Sequence, residues 1–365
     1  MTKLVLLGGG HAQLFVLEAF ARQRPDADIR LITPDALTPY SGMLPGVLAG
    51  HYRTRQACID LRPLAERAGC QLMLGRAIGI DSTHRRITLA GGEVIDYDLL
   101  SIDTGSTPQR PDIPGAAEYA QPVKPIADLL ARCALATPRA VSVLGGGAAG
   151  VEVVMALHHR WPAAHCTLIE RGATPLGGLG ERLQRSIGAE LARQHIDVVT
   201  GAAVTRIDAN AIRLDTGRTV GSDFTVLATG AAAPDWLRDS GLALDARGFI
   251  EVGATLQSTS HPEVFAAGDV ATLSASPRSK SGVYAVRAGP PLAANIARVL
   301  AGQPPLDWRA QRHALMLLAC GRRHAIAARG GWVLKGDWVW RWKDAIDRGF
   351  VRRFDPQADS ETAAG

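Results

Sequence analysis

The chain has 365 residues, 47% of them hydrophobic, enough to bury two cores, so two or three domains are expected and a single compact fold is not. Aromatic residues make up only 5% while glycine reaches 39 positions, a bias that suits tight turns and close backbone approaches in an α/β protein and argues against an aromatic-rich β-sandwich. The formal charge of +5 attracts phosphates or acidic lipid, but there is no arginine or lysine block, and no nucleic-acid partner is expected.

Met1-Thr2-Lys3 runs straight into an apolar strand pattern, so no leader is expected and the expected placement is cytoplasmic, with peripheral attachment to the inner face of the membrane left open. No apolar stretch approaches the roughly 18 residues that a membrane span needs. Cys58, Cys70, Cys133, Cys166 and Cys320 lie far apart. A redox disulfide between near neighbours is therefore excluded, and isolated buried thiols are the simpler expectation.

Residues 3–7 form an apolar run that ends in Gly8-Gly9-Gly10-His11-Ala12-Gln13, and a helical pattern follows through Leu14, Leu17 and Phe20. The unit recurs at 140–144, with Gly145-Gly146-Gly147-Ala148-Ala149-Gly150 leading into Val151, Val154 and Leu157. A parallel strand that turns sharply into a helix, with its backbone against a pyrophosphate, has no room for side chains there, and the helix N-terminus faces the phosphate charge. One such turn is a weak signal. Two, each between a strand and a helix, predict dinucleotide sites, with Gly8, Gly9, Gly10, His11 and Ala12 in the first and Gly145, Gly147 and Gly150 in the second.

The first copy has Gln13 where a third glycine is usual, so its helix is expected to pack less closely. Asp35, after the strand pattern at 29–32, is its candidate for a ribose contact. In the second copy Glu170 ends the strand pattern at 166–169 and fits a carboxylate on both ribose hydroxyls. It would repel the extra phosphate of NADPH, so NADH is favoured, while Arg171 keeps NADPH open.

Residues 98–103 close on Thr104-Gly105 and residues 223–228 on Thr229-Gly230, and both read as the last strand of a nucleotide-binding sheet. Further on, 264–269 form a strand pattern ending in Gly268-Asp269, and a helix follows through Leu292, Ile296 and Leu300. Asp269 can take hydrogen bonds from ribityl hydroxyls or cap a turn.

On these paired turns, the two Thr-Gly strand ends and Phe265-Ala266-Ala267-Gly268-Asp269, residues 1–305 resemble the pyridine nucleotide-disulfide oxidoreductase superfamily. The resemblance implies two Rossmann-like domains in an α/β fold. FAD would lie on the first turn, NAD(P)H on the second, and Asp269 beside the ribityl-phosphate portion. The implied division is 1–110 and 246–305 for a discontinuous FAD domain, 111–245 for the NAD(P) domain, 306–355 for a C-terminal segment, and 356–365 for a disordered tail. A narrower likeness is to the module fused ahead of selenide, water dikinase in some bacteria and to its stand-alone relatives. It rests on His11, Thr38-Pro39-Tyr40-Ser41-Gly42-Met43-Leu44-Pro45-Gly46, Tyr284-Ala285-Val286-Arg287 and Trp338-Val339-Trp340-Arg341-Trp342-Lys343. No kinase domain is present, so selenophosphate synthesis is not implied. More distantly the chain is similar to type II NADH:quinone dehydrogenases and sulfide:quinone reductases.

The superfamily's disulfide reductases carry a cysteine pair where this chain has Tyr40-Ser41-Gly42-Met43, so dithiol chemistry is not expected. Cys133 and Cys320 match no flavin-facing cysteine of the sulfide:quinone reductases. Hydride transfer onto a flavin needs few protein side chains. By resemblance, Glu152 would sit between nicotinamide and isoalloxazine, and Lys280-Ser281-Gly282-Val283-Tyr284 would approach the flavin pyrimidine, where Lys280 could stabilise negative charge; each is equally readable as an ordinary helix carboxylate or loop lysine. His11 is read as shaping the phosphate turn. No metal site is expected.

Trp338, Trp342, Ile346, Phe350 and Phe354 fall at four-residue steps with Lys335, Arg341, Lys343, Arg348, Arg352 and Arg353 around them. The row reads either as a membrane-facing helix or, the favoured reading, as a helix packed over the flavin or into a homodimer interface. The expected function is an FAD-dependent oxidoreductase taking hydride from NADH and serving a quinone or other small electron acceptor. Oxidation of a small sulfur, selenium or other metabolite without NADH, and a redox-responsive flavin-binding module, remain as alternatives.

Overall fold

A computed structural model describes residues 1–109 and 111–359. Strands Thr2–Leu7, Ala27–Thr33, Leu99–Ile102, Val264–Ala266 and Gln71–Leu74 form one parallel sheet, in the order Val264–Ala266, Leu99–Ile102, Thr2–Leu7, Ala27–Thr33, Gln71–Leu74. The first strand lies centrally, Leu4 opposite both Ile29 and Leu99, and is buried from Leu4 to Leu7, as a parallel strand covered on both faces must be. Helix His11–Arg22 packs on one face of this sheet against helix Gly282–Leu300, which enters from the far end of the chain.

The second parallel sheet runs Ala120–Pro122, Phe224–Leu227, Ala140–Leu144, His165–Glu170, Asp197–Thr200, with helix Ala148–Arg160 packed against its central strand. The halves agree beyond the turns. Each sheet is followed by a three-stranded antiparallel ribbon, Ala77–Asp81 with Arg86–Leu89 and Val94–Asp96 in the first and Val204–Asp208 with Ala211–Leu214 and Thr219–Gly221 in the second. The chain then re-enters the sheet through Leu99–Ile102 or Phe224–Leu227, which lead directly into Asp103 and Ala228. It leaves the first sheet for the second and returns along an antiparallel pair, Thr107–Pro108 with Ala231–Ala232. Because Val264–Ala266 joins the first sheet, the first domain is discontinuous.

The C-terminal segment is a three-stranded sheet, Met316–Ala319, Ala325–Arg329 and Trp332–Gly336, followed by helix Asp337–Phe354. The expected single apolar row on that helix does not hold. Trp338, Trp342 and Ile346 are 49%, 38% and 40% exposed, whereas Phe354 is buried and both Phe350 and Phe354 contact Phe15. Four-residue steps overshoot a turn by about 40° each, so over the length of the helix the row winds about 160° around the axis and ends on the other face. The expected disordered tail is also corrected in part. Ala358 is buried and Asp359 accepts a hydrogen bond from Arg348 at 3.0 Å, which anchors the chain to Asp359; residues 360–365 lie outside the described residues.

Phe265 is fully buried in the strand that closes the first sheet. Phe265→Ala is expected to destabilise the protein by about 3–5 kcal/mol, read as a lower midpoint in urea unfolding.

Candidate functional site

Both turns are built the same way. The N–H of Gly8 donates to Ile32 and that of Gly145 to Ile169, each at 2.8 Å, so the turn is tied to the neighbouring strand. Gly8 and Gly145 have φ of 97° and 109°, and a Cβ on either would overlap the carbonyl of Asp103 or Ala228. Only glycine passes there. Thr104-Gly105 and Thr229-Gly230 follow those carbonyls, which places them beside their turns; Thr229 Oγ1 donates to the Gln109 carbonyl at 2.8 Å, and Gly105 and Gly230 also have positive φ.

The second turn closes as its sequence predicts. Gly150 packs directly on the Gly145 carbonyl, where any Cβ would overlap it. Gly147 differs: a Cβ there meets nothing within 4 Å, leaving an open cradle at the start of helix Ala148–Arg160 that fits a pyrophosphate. Glu170 stands at its edge, accepting hydrogen bonds from the N–H groups of Gly146 at 2.5 Å and Gly172 at 2.6 Å.

The first turn solves the missing glycine differently. Gln13 is fully buried, its Nε2 donating to the Ser101 carbonyl at 2.9 Å and its Oε1 accepting from Ser101 Oγ at 3.1 Å. Asp103, absent from the sequence-based candidates, accepts from the N–H of Ala12 at 2.8 Å and of Gln13 at 3.2 Å. It also touches the places where Gly10 and Gly268 have no side chain, drawing Gly10, Ala12 and Gly268 around one carboxyl, while Gly8 lies against the backbone carbonyl of the same residue. Gly9 faces Thr33 and Leu61. By the parallel between the Gly8–Ile32 and Gly145–Ile169 hydrogen bonds, Thr33 holds the place of Glu170. Asp35 is not brought to the turn: it is exposed two residues beyond the strand and accepts from the N–H of Leu37 in a local turn.

Asp269 follows Gly268, with Lys124 at 3.8 Å, and a cavity beside it is lined by Gly268, Asp269, Lys280, Ser281 and Tyr284. Val283 and Tyr284 lie in the first turn of helix Gly282–Leu300. Lys280 is committed elsewhere, donating to the Ala271 carbonyl at 2.5 Å and Thr272 Oγ1 at 2.8 Å above the Phe249 ring, and burial lowers it to about 8. His11 is half-buried and lowered by desolvation to about 4, hence neutral, with its ring against Tyr40 and Phe350.

Glu152 lies on the helix of the second turn, and its Oε1 accepts from the N–H of Ala319 at 2.8 Å. Burial raises it to about 7, with the Lys343 charge working against that rise. Lys343 donates to Asp347 Oδ2 at 2.6 Å and to the Gly42 carbonyl at 2.5 Å, and both partners of this ion pair are buried. Asp347 also bonds Tyr40, whose ring stacks on Phe350 with centroids 4.5 Å apart. The C-terminal helix thus joins the Tyr40-Ser41-Gly42-Met43 segment to Glu152. All five cysteines are free and buried, and burial pushes the Cys133 thiol up to about 11 and Cys320 higher than an ordinary thiol, which leaves no ready thiolate.

The model for the pyridine nucleotide-disulphide oxidoreductase family matches residues 2–292. The chain belongs to that family. It is an FAD-dependent NAD(P)H oxidoreductase, and the residues around both turns fit the two dinucleotides. The chain is 32% identical over 279 residues to the ferredoxin–NAD(+) reductase component of the biphenyl dioxygenase system of Paraburkholderia xenovorans, covering 73% of this chain and 67% of the relative. It is 25% identical to an NADH dehydrogenase-like protein of Mycobacterium tuberculosis, covering 74% and 73%. In fold it is similar to the sulfide:quinone oxidoreductase of Aquifex aeolicus, with a TM-score of 0.81 over 99% of this chain and 94% of that one at 20% identity. Among the described residues no helix is long and apolar enough to cross a membrane.

Gly147→Val places its Cβ in the open cradle, where no other protein atom lies within 4 Å of it. The variant is expected to fold and retain FAD while losing reduction by NADH; stopped-flow absorbance at the flavin band checks this, and reduction at the normal rate would refute the placement of the nicotinamide cofactor.

Proposed function

We propose that the chain takes a hydride from NADH bound at the second turn, and delivers the electrons to a quinone or similar small acceptor beneath the C-terminal helix. FAD, held at the first turn by Gly8, Gly9, Gly10, His11, Ala12, Thr104, Gly105, Gly268 and Asp269, supplies the electron sink. The observation that carries the reading is Glu152, a half-buried carboxyl that desolvation raises to about 7 where the second domain meets the C-terminal helix. Reducing a quinone takes two electrons and two protons. The hydride brings both electrons and one hydrogen, so one further proton has to come from the protein. Glu152 can hold that proton at neutral pH, with Lys343, Asp347 and Tyr40 fixing its surroundings. Val283 and Tyr284 shape the cofactor side of the helix start, and Lys280 steadies the loop before it.

Glu170 supports NADH as donor, because a carboxylate pinned by two backbone N–H groups cannot swing away from a 2′-phosphate. The exposed Trp332, Trp338, Trp342 and Ile346, with Lys335 and Arg341 among them, suit peripheral contact with acidic lipid, where a quinone would be found.

Mixing the protein with NADH under anaerobic conditions should bleach the flavin band within seconds. A band that persists would remove NADH as donor and bring forward oxidation of another metabolite. In wild type the acceptor half-reaction should slow as pH rises above about 7, since the protonated carboxyl is the donor form. Glu152→Gln should slow that half-reaction by about 10²–10⁴-fold and erase this limb, with a far smaller effect on the NADH half-reaction. Glu170→Ala should lower the kcat/KM preference for NADH over NADPH by about tenfold, equivalent to about 1.4 kcal/mol.

A further inference from the structure

The two turns share a backbone but not an anion environment. In the second, Ala228 stands beside the turn and Gly150 packs beneath it, while the one carboxylate at the turn, Glu170, is held on the Gly146 N–H at the end of the next strand. In the first, the equivalent places hold Asp103 and Gln13. Gly10, the N-cap residue, has no side chain to cap the helix, and Asp103 does so from the adjacent strand through the N–H groups of Ala12 and Gln13. The Gly10 N–H is also taken, donating to the Asp103 carbonyl at 3.1 Å. A carboxyl that is 2% exposed therefore occupies the end of the helix that would face a dinucleotide diphosphate.

We propose that Asp103 is the residue that positions the first turn for its dinucleotide, and that it does so in its protonated form, so that FAD binding is coupled to uptake of one proton at Asp103. The inference rests on the reading that FAD occupies the first turn. Two negative phosphates and an ionised carboxylate cannot share one helix end without large repulsion in a buried setting, whereas the neutral acid keeps a carbonyl oxygen for the Ala12 and Gln13 N–H groups. The groups around Asp103 give no compensating cation. The turn 268–270 contributes the carboxylate Asp269, which already has Lys124 at 3.8 Å. Helix His11–Arg22 contributes two amides and a neutral His11; helix Gly282–Leu300 contributes Ala285 beside Gly268. Desolvation, reinforced by Asp269, already raises Asp103 to about 7 before any phosphate is added.

The sign follows. Below about 7 Asp103 is protonated and FAD binds without taking up a proton; above it the free chain has to acquire one, so the Kd for FAD rises with pH, by up to about tenfold per unit. The test is titration of the full chain, freed of flavin, with FAD from about pH 6.5 to about pH 8.5, followed by flavin fluorescence and by calorimetry in two buffers of different ionisation enthalpy. Wild type should show the rising Kd and close to one proton taken up at the alkaline end. Asp103→Asn, which keeps an oxygen for the two N–H groups and cannot ionise, should bind FAD with a flat pH profile, at least as tightly as wild type at the alkaline end. A wild-type Kd independent of pH with no proton uptake overturns the proposal, as does an Asp103→Asn protein with the wild-type slope. Should that variant not fold, the wild-type calorimetry decides alone. Wild type that binds no FAD at any pH would instead sink the assignment of the first turn.

Discussion

The backbone of a strand that turns into a helix has to pass against the carbonyl of the strand beside it, and in this molecule that crowding occurs twice, at Gly8 under Asp103 and at Gly145 under Ala228. Both turns are pinned by the same 2.8 Å hydrogen bond to the next strand. With this constraint go the parallel order of each sheet and the helix that starts directly at each turn. The first sheet then recruits Val264–Ala266 and helix Gly282–Leu300 from beyond the second, which brings Gly268 and Asp269 to the first turn.

On that frame the C-terminal helix acts as a clasp. Lys343 and Asp347 reach the Gly42 carbonyl and Tyr40 of the first domain, while their charges are felt by Glu152 of the second. A buried ion pair of this kind adds little net stability once desolvation is counted. Its consequence is electrostatic: it sets a pair of charges beside the half-buried carboxyl of Glu152. The opposite face of the same helix leaves Trp338 stacked on Trp342 in the open, with centroids 6.5 Å apart.

What the sequence made legible is what local chemistry dictates. Glycine spacing between an apolar run and a helical pattern located both turns, and Glu170 was found because its strand ends where the ladder ends. Asp35 differs from Glu170 in its place, because pairing with the strand Gln71–Leu74 carries the ladder to Thr33 and leaves Asp35 two residues beyond it. Asp103 and the Lys343–Asp347–Tyr40 group were invisible for a different reason. Their partners lie about 90 and 300 residues away along the chain, and no local pattern encodes such a meeting. One signal was available for Asp103: a missing third glycine calls for some substitute beneath the helix, and the strand that closes on Thr104-Gly105 is where it had to come from. The antiparallel ribbons escaped notice because their strands are three to five residues long and mix apolar with polar or charged side chains.

The central claim is that two similar turns hold two different dinucleotides. Its most direct test is the binding stoichiometry of the full chain, with flavin counted after release from the purified protein and NAD(H) counted by titration of the flavin-loaded form. The account predicts one FAD and one NAD(H) per chain, each lost separately when its own turn is altered. Two flavins per chain, or NADH displacing FAD from a single shared site, would contradict it.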